Sequence, residues 1–281
     1  MKITKHFLLF LMCTLTITLY AQEETEEQKK DTRPVRDPFE SSYLINNQTI
    51  IVNQAKTLEY VIQHRFGKMN SEGFDLLGLY APSNIRFGLC YSLTDFLQVG
   101  VGSTKNNKLQ DANVKVALLR QTRSGNIPVG VTYFSNVSID VRKDVFTSFS
   151  NRFTYFHQLI IARKFHRRFS MQVSPSFTHF NIVAEGRNHD VIGVSSTARV
   201  KVRDQMNILL EYDHPLTSQP SDESLPNIGL GIELVTSAHA FQIFVSTFNR
   251  INSQYDYMYN DNSYTDLDFL LGFNMTRLWN F

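Results

Sequence analysis
The sequence predicts an all-β fold, a transmembrane up-and-down antiparallel β-barrel of about twelve strands. Three observations predict it. Twelve short runs alternate apolar and polar residues, which gives each run one greasy and one wet face. The connections between runs sort into long and short by parity. The last run, residues 266–281, reads DLDFLLGFNMTRLWNF and ends the chain on Phe281. A backbone immersed in lipid must satisfy its own polar groups, so strands can span a membrane only in a closed barrel.

The chain begins with an address. Lys2, Lys5 and His6 precede an apolar run from Phe7 to Tyr20, and Ala21 is a small residue at the cut, so residues 1–21 read as a signal peptide. The run is shorter than the ~20 apolar residues of a spanning helix. Residues 22–56 read as a periplasmic leader, partly disordered. Its first part, QEETEEQKKDTRPVRDP, has almost nothing apolar to bury. Its later part, YLINNQTIIV at 43–52, fits either a strand or a segment folded into the barrel mouth.

The barrel is expected over residues 57–281. The first run, 57–66, sets Leu58, Tyr60 and Ile62 against Glu59, Gln63 and Arg65. Runs at 84–92, 96–103, 112–121, 127–140 and 152–163 follow, each with one apolar parity, such as Ile85, Phe87, Leu89 and Tyr91 in the second. Runs at 168–182, 190–202, 205–213, 228–235 and 240–249 repeat the pattern. In the closing run Leu267, Phe269, Leu271, Phe273 and Met275 share one parity; Asp268, Gly272, Asn274 and Thr276 share the other, with Leu270 as an apolar intruder.

Connections after even runs read LTD, TRSGN, KFHR, RD and TSAH, none longer than five residues, whereas those after odd runs have seven or more. Outer-membrane barrels have tight periplasmic turns and long extracellular loops. A soluble sandwich has no reason to sort its loops this way. An even strand number also leaves both ends of the chain in the periplasm, where Phe281 would serve as the signal read by the barrel-insertion machinery.

Composition excludes several classes. A net charge of +2 with scattered basic residues gives no footprint for nucleic acid. Once the signal is removed Cys90 is the one cysteine, so neither a disulfide within the mature chain nor a cysteine metal cluster can form. No spacing of His and Glu suggests a metal, and no motif suggests a cofactor. The GVG of Gly100 and Gly102 lies in a strand with no helix after it, so it is not a phosphate loop.

The polar parity must face the lumen, because a charge facing lipid is costly near the midplane. The candidate lumen-lining charges are Glu59, Arg65, Arg86, Lys115, Asp140, Arg152, Arg199, Lys201, Glu211, Glu233 and Asp268. They either pair across neighbouring strands, as Arg199 and Glu211 would, or form a charged constriction that selects solutes. Gly88, Gly100, Gly102, Gly193, Gly229 and Gly231 on the same face are expected to leave space. His64, His157 and His179 fall on the lipid parity, where an amphipathic ring suits the interfacial belt. The basic turn of Arg163, Lys164, His166, Arg167 and Arg168 is expected at the periplasmic rim. The loop 255–266, with Asp256, Asp261, Asn262 and Asp266 among tyrosines, is expected to be solvated and to touch glycans or a partner.

A membrane-embedded acyl hydrolase would need Ser, His and an orienting Asn or Asp on one outward face. No Ser stands two residues from a His on the lipid parity of any run, so no catalytic residue is assigned.

Four pieces carry a resemblance: HRFG at 64–67, NIRFGL at 84–89, HAFQ at 239–242 and GFNMTR at 272–277. In this order and spacing the stretch from Leu58 to Arg277 looks like an uncharacterised outer-membrane β-barrel family of Bacteroidetes. Ser237-Ala238 departs from the glycines the family pattern tends to have there. The resemblance implies a barrel in the cell outer membrane, contacting outer-membrane lipid, and implies no activity. The expected work is therefore non-enzymatic: a narrow channel for passive passage of small polar solutes. The alternative is a structural or accessory barrel of an envelope complex, docked to a periplasmic or outer-membrane protein through its leader and turns.

Overall fold
The structure, a computed structural model, describes residues 31–36, 38–70, 75–220 and 224–281. The signal peptide and residues 22–30 of the leader lie outside the described residues.

Two short strands come first, β1 (Tyr43–Leu44) and β2 (Asn47–Gln48), paired only with each other. The barrel follows as β3 (Thr57–Lys68), β4 (Asn84–Thr94), β5 (Leu97–Thr104), β6 (Leu109–Leu119), β7 (Gly130–Asp140) and β8 (Phe153–His166). It continues as β9 (Phe169–Phe180), β10 (Asp190–Arg203), β11 (Met206–Pro215), β12 (Asn227–Val235), β13 (His239–Ser246) and β14 (Leu270–Asn280). Each strand pairs antiparallel with its neighbours in sequence. β14 closes on β3, from Leu270↔Lys68 to Asn280↔Thr57. The sheet therefore has no open edge to present to lipid. No described helix is long and apolar enough to cross a membrane.

The alternation turns the usual inside-out arrangement of a globular protein around. On β4, Asn84, Arg86 and Cys90 are buried while Phe87, Leu89 and Tyr91 are exposed. On β14, Leu270, Gly272, Asn274 and Thr276 point inward and Leu271, Phe273 and Met275 outward. Outward histidines sit among aromatic rings, His64 on Phe66 and Phe273 and His157 on Tyr133 and Phe177.

Two connections depart from the expected sorting. The link after β5 shrinks to residues 105–108, because Leu109 and Asp111 continue the ladder opposite Asp140 and Ser138. The link after β6 lengthens to residues 120–129, because Pro34 bridges Thr122 and Val35 donates its N–H to Gln121, holding that turn out of the sheet. At the other turns the periplasmic end stays tight, with β8 running to His166 and β9 beginning at Phe169.

Candidate functional site
The lumen is occupied. Phe39 and every residue from Ser41 to Thr49 are buried inside the barrel. Residues 41–49 of the expected 22–56 leader are thus enclosed by the barrel, and of the readings left open for 43–52 both are present, short strands and an inward-folded segment. The physical reason is mixed: Phe39, Leu44 and Ile45 join a buried apolar cluster with Leu209 and Phe244, and the polar residues between pair with the wall. Between β1 and β2 the chain turns at Ile45, whose φ of 53° is unusual for a β-branched residue. The turn is held from both sides. The Ile45 N–H donates to Gln242 Oε1 at 3.1 Å, and its carbonyl accepts from Arg65 Nη2 at 3.1 Å and Asn274 Nδ2 at 2.7 Å.

Around this plug the wall falls into two parts. The first is built from β11 to β14 and β3 to β6 and carries the charges. Asn46 sits between Arg65, which donates to its Oδ1 at 2.7 Å, and Glu211, which accepts from its Nδ2 at 2.9 Å and its backbone N–H at 3.0 Å. Asn47 Nδ2 reaches Asp213 at 2.7 Å, and Ser42 Oγ reaches Glu59 at 2.6 Å. Lys115 Nζ donates to the carbonyls of Ser42 and Ile51, and Gln242 Nε2 to that of Tyr43. Arg86 forms a fork with Asp111, Nε to Oδ2 at 2.9 Å and Nη2 to Oδ1 at 2.7 Å. It does so across β5, where a Cβ on Gly102 would lie 2.3 Å from Arg86 Nη2. The inward glycines do not leave room for solute. Gly102 admits the ion pair, Gly229 admits Ile45 and Gly193 admits the ring of Tyr257.

The second part is built from β8, β9 and β10 and carries hydroxyls and amides. β9 turns Ser170, Gln172, Ser174, Ser176 and Thr178 inward, opposite Ser195 and Thr197 of β10. The plug reaches it sparingly. Gln172 Nε2 donates to the Gln48 carbonyl at 2.7 Å, Gln158 Nε2 to Asn47 Oδ1 at 3.3 Å, and Arg199 Nη1 to Glu40 at 2.6 Å. Among the described residues Ser170 Oγ, Ser174 Oγ, Thr178 Oγ1, Thr197 Oγ1, Gln158 Oε1 and Gln172 Oε1 are buried without a hydrogen-bond partner. A buried polar group left so costs about 1–3 kcal/mol.

The long-loop end is closed by a second insert. The link between β13 and β14 folds inward and forms a short helix, α1 (Ser253–Tyr259), with Gln254, Tyr255, Asp256, Tyr257 and Met258 buried. The expectation of a solvated loop at 255–266 is corrected for Asp256 and Asn262, which are buried with Asn260, whereas Asp261 and Asp266 are exposed as expected. The aromatic residues explain the inward fold, since Tyr257 stacks on Phe156 and Tyr255 and Tyr259 meet the Phe180 ring edge to face. Gln254 donates to Asn136 and Ser138. Burial raises the Asp256 carboxyl far above the usual carboxylate range, to about 7, against the lowering pull of the Arg250 N–H at 3.1 Å and of the Arg250 and Arg65 charges.

Most of the candidate lumen charges lie inside the barrel. Glu59, Arg65, Arg86, Lys115, Asp140, Arg199, Glu211 and Glu233 are all buried. Arg152, Lys201 and Asp268 stand at the rims instead. Arg152 donates to the carbonyls of Asp140 and Arg142, Lys201 pairs with exposed Asp204 at 3.5 Å, and Asp268 pairs with Lys68 at 3.2 Å. The expected Arg199–Glu211 pair does not form, because the register sets Glu211 opposite Thr197, while Arg199 reaches Glu40 and Glu211 is taken by Asn46 and Asn227. The list lacked Asp111 and Asp213. Both could have been found from parity, Asp111 with Asn113 and Lys115, and Asp213 with Glu211.

The outward face holds one pair that spacing along a strand cannot reveal. Ser135 of β7 stands opposite His157 of β8, with Oγ 3.2 Å from Nδ1. Tyr133 Oη lies closer to the same nitrogen, at 2.7 Å, and among the described residues no carboxylate orients the ring. This is a belt cluster rather than a nucleophile and its base. No group of three or more His, Cys, Asp or Glu among the described residues could hold a metal ion.

Cavities remain at the two ends. One of 660 Å³ opens at the short-turn end beside Val35, Ile51, Val52, Leu119 and Leu278, and one of 330 Å³ at the long-loop end beside Phe146, Phe180 and Tyr259. Between the plug and α1 a gap of only 30 Å³ is left, beside Tyr43, Arg86, Asn136 and Gln254, about the volume one water takes up in the liquid.

A closed twelve-stranded antiparallel sheet, greasy outside and polar within, defines a β-barrel of the outer membrane. The profile of one family, described as membrane bound beta barrel domain (DUF5777), matches residues 39–279, and the chain belongs to that family. The match begins at the plug, so plug and barrel are one domain of the family. Among solved structures the chain is similar to an outer-membrane channel from Pseudomonas putida F1, at 10% identity and a TM-score of 0.52 over 81% of this chain and 97% of that one. It also aligns with the KdgM porin, at 8% identity and a TM-score of 0.47 over 80% and 99% of the two chains. A third, the CymD monoaromatic hydrocarbon channel, aligns at 10% identity and a TM-score of 0.42 over 82% and 90%. The likeness to the Pseudomonas putida channel shows the barrel fold. No curated protein sequence matches.

Proposed function
We propose that the chain is a non-enzymatic outer-membrane channel for small polar solutes, held shut by its own residues 39–52 together with α1 and opened when both shift. One observation supports this reading above the others. Among the described residues the plug shares no ladder hydrogen bond with the barrel, and its strands pair only with each other. It is held by side chains alone, so it can leave without parting any strand of the sheet. The test is single-channel conductance in planar bilayers. The full chain should stay closed for most of the record, and a chain lacking both residues 39–52 and α1 should give stable open steps. If the shortened barrel folds, judged by its heat-modifiable migration, and still passes no current, the channel reading is wrong.

A docked accessory barrel is the second reading, and the 660 Å³ cavity favours it. Pro38, Ile51, Val52 and Leu278 give that cavity an apolar patch within a mixed lining that also holds Asp95, Arg120, Gln121 and Asn280. A fixed protein partner should then co-purify with the full chain and be lost on Val52→Asp. Retention of the partner by that variant would count against docking at this mouth.

A further inference from the structure
We propose that solute passes along the β8–β10 side of the lumen, on a track centred on β9, and that this track takes uncharged hydroxylated molecules such as polyols and small sugars in preference to ions. The proposal rests on the channel reading above and names the solute class of that same lumen.

The observations concern two kinds of inward side chain. On β9, Ser170, Gln172, Ser174 and Thr178 are at most 1% exposed, and each keeps a polar atom without a hydrogen-bond partner among the described residues. Gln158 on one side and Thr197 on the other do the same. Successive inward residues of a strand stand about 6.6 Å apart, so these groups form a file along the lumen. A hydroxyl both donates and accepts, and the amide oxygens add acceptors. A polyol carries the same mixed pattern and can replace water group by group along such a wall. Among the described residues the wall carries one buried charge, Arg199, opposite Ser170 at the short-turn end; from Gln172 to Thr178 an ion meets no opposite charge, and desolvating it there is expensive.

The charges of the opposite wall are already committed. Arg86 is taken by Asp111, Glu211 and Arg65 by Asn46, Lys115 by the plug carbonyls. A plug that stays on the charged wall and swings away from β9 keeps those partners. It gives up the bonds from Gln172, Gln158 and Arg199 and exposes the file as far as Gly193, where the Tyr257 ring of α1 covers the wall and has to move as well. The structure thus favours an off-centre path over a central one.

The native thiol supplies the control, since Cys90 is a free cysteine facing inward on β4, on the charged side. The full chain and its Ser174→Cys variant, with Thr197→Cys as a second probe of the same track, are placed in liposomes and treated with a small uncharged methanethiosulfonate. Cysteine at either track position should react at least tenfold faster than Cys90. Its modification should slow liposome swelling in sorbitol, while reagent leaves the chain carrying Cys90 alone unchanged. Sorbitol should enter at least tenfold faster than potassium gluconate. Equal reactivity of Cys90 and the track positions, unreactive track cysteines, or equal entry of sorbitol and gluconate would each overturn the proposal. If the barrel lacking both residues 39–52 and α1 also passes no current, the channel reading itself has failed, which separates the two failures.

Discussion
The two parts of the lumen wall have the same backbone, the same closure and the same burial, yet they hold the plug in different ways. The charged part meets it with carboxylates and guanidinium groups whose partners are in place, as Glu211 with Asn46 and Arg65 with the Ile45 carbonyl. The hydroxyl part meets it with a few amide bonds and leaves Ser174 and Thr197 without partners among the described residues. Grip in a polar lumen is thus set by how completely each buried group is paired. One side of the wall is a latch, and the other is a face from which a plug can part.

The sharpest way to break this comparison is to delete a charge on one side and a hydroxyl on the other. Asp111→Ala leaves Arg86 buried without its carboxylate and should cost about 3–5 kcal/mol, read as a lower urea midpoint for the protein in detergent. Ser174→Ala removes an unpaired buried group and should stabilise the protein by about 1–3 kcal/mol. Equal losses in the two variants would mean that the walls differ in appearance and not in energy.

Next in size is Asn46→Ala, which removes the side-chain bonds to Glu211 and Arg65 while the backbone N–H still reaches Glu211. A loss of about 2 kcal/mol should appear as a lower urea midpoint. If the midpoint does not change, the latch is elsewhere.

Asp256 sharpens the comparison at the level of α1, which sits over the hydroxyl wall. Its folded pKa of about 7 lies above that of a solvated carboxyl, so the docked helix binds the proton more tightly than the undocked one. Docking is then strongest at acid pH, weakens as pH rises through the carboxylate range toward 7, and levels off above it. Amide exchange of residues 253–259 should quicken between pH 5 and 7.5 by an amount that Asp256→Asn removes. A slope that survives in the variant would assign the effect to another group. The smallest effect on stability belongs outside both walls. Phe281 is 78% exposed, so its deletion should change the urea midpoint by less than about 0.5 kcal/mol, while the yield of assembled barrel in the outer membrane falls if it serves insertion.

The barrel was legible because lipid forces a regular answer. Ile85, Phe87 and Leu89 must alternate with Asn84, Arg86 and Gly88 wherever a strand spans. The plug was not, because Ser41 to Thr49 face a polar wall on several sides and no single period describes them. The inward fold of α1 was hidden for a related reason: Asp256 and Asn262 read as loop residues until Tyr255 and Tyr257 are seen packed on Phe180 and Phe156. Parity placed the lumen charges on the right face, but register and not parity decides partners, which is why Arg199 meets Glu40 rather than Glu211. Ser135 and His157 are brought together by the same register, from positions that no motif search along one strand would join.

The plug precedes β3 in the chain, and the seam that seals the barrel joins β3 to β14, with Thr57 opposite Asn280. Biogenesis therefore has to solve a threading problem. The segment that fills the pore is translated first, while the strand that completes the wall around it is translated last. Either the nascent sheet curls around a stopper already seated, or the stopper enters a finished cylinder; the 660 Å³ hollow beside Ile51 and Val52 lies at the short-turn end.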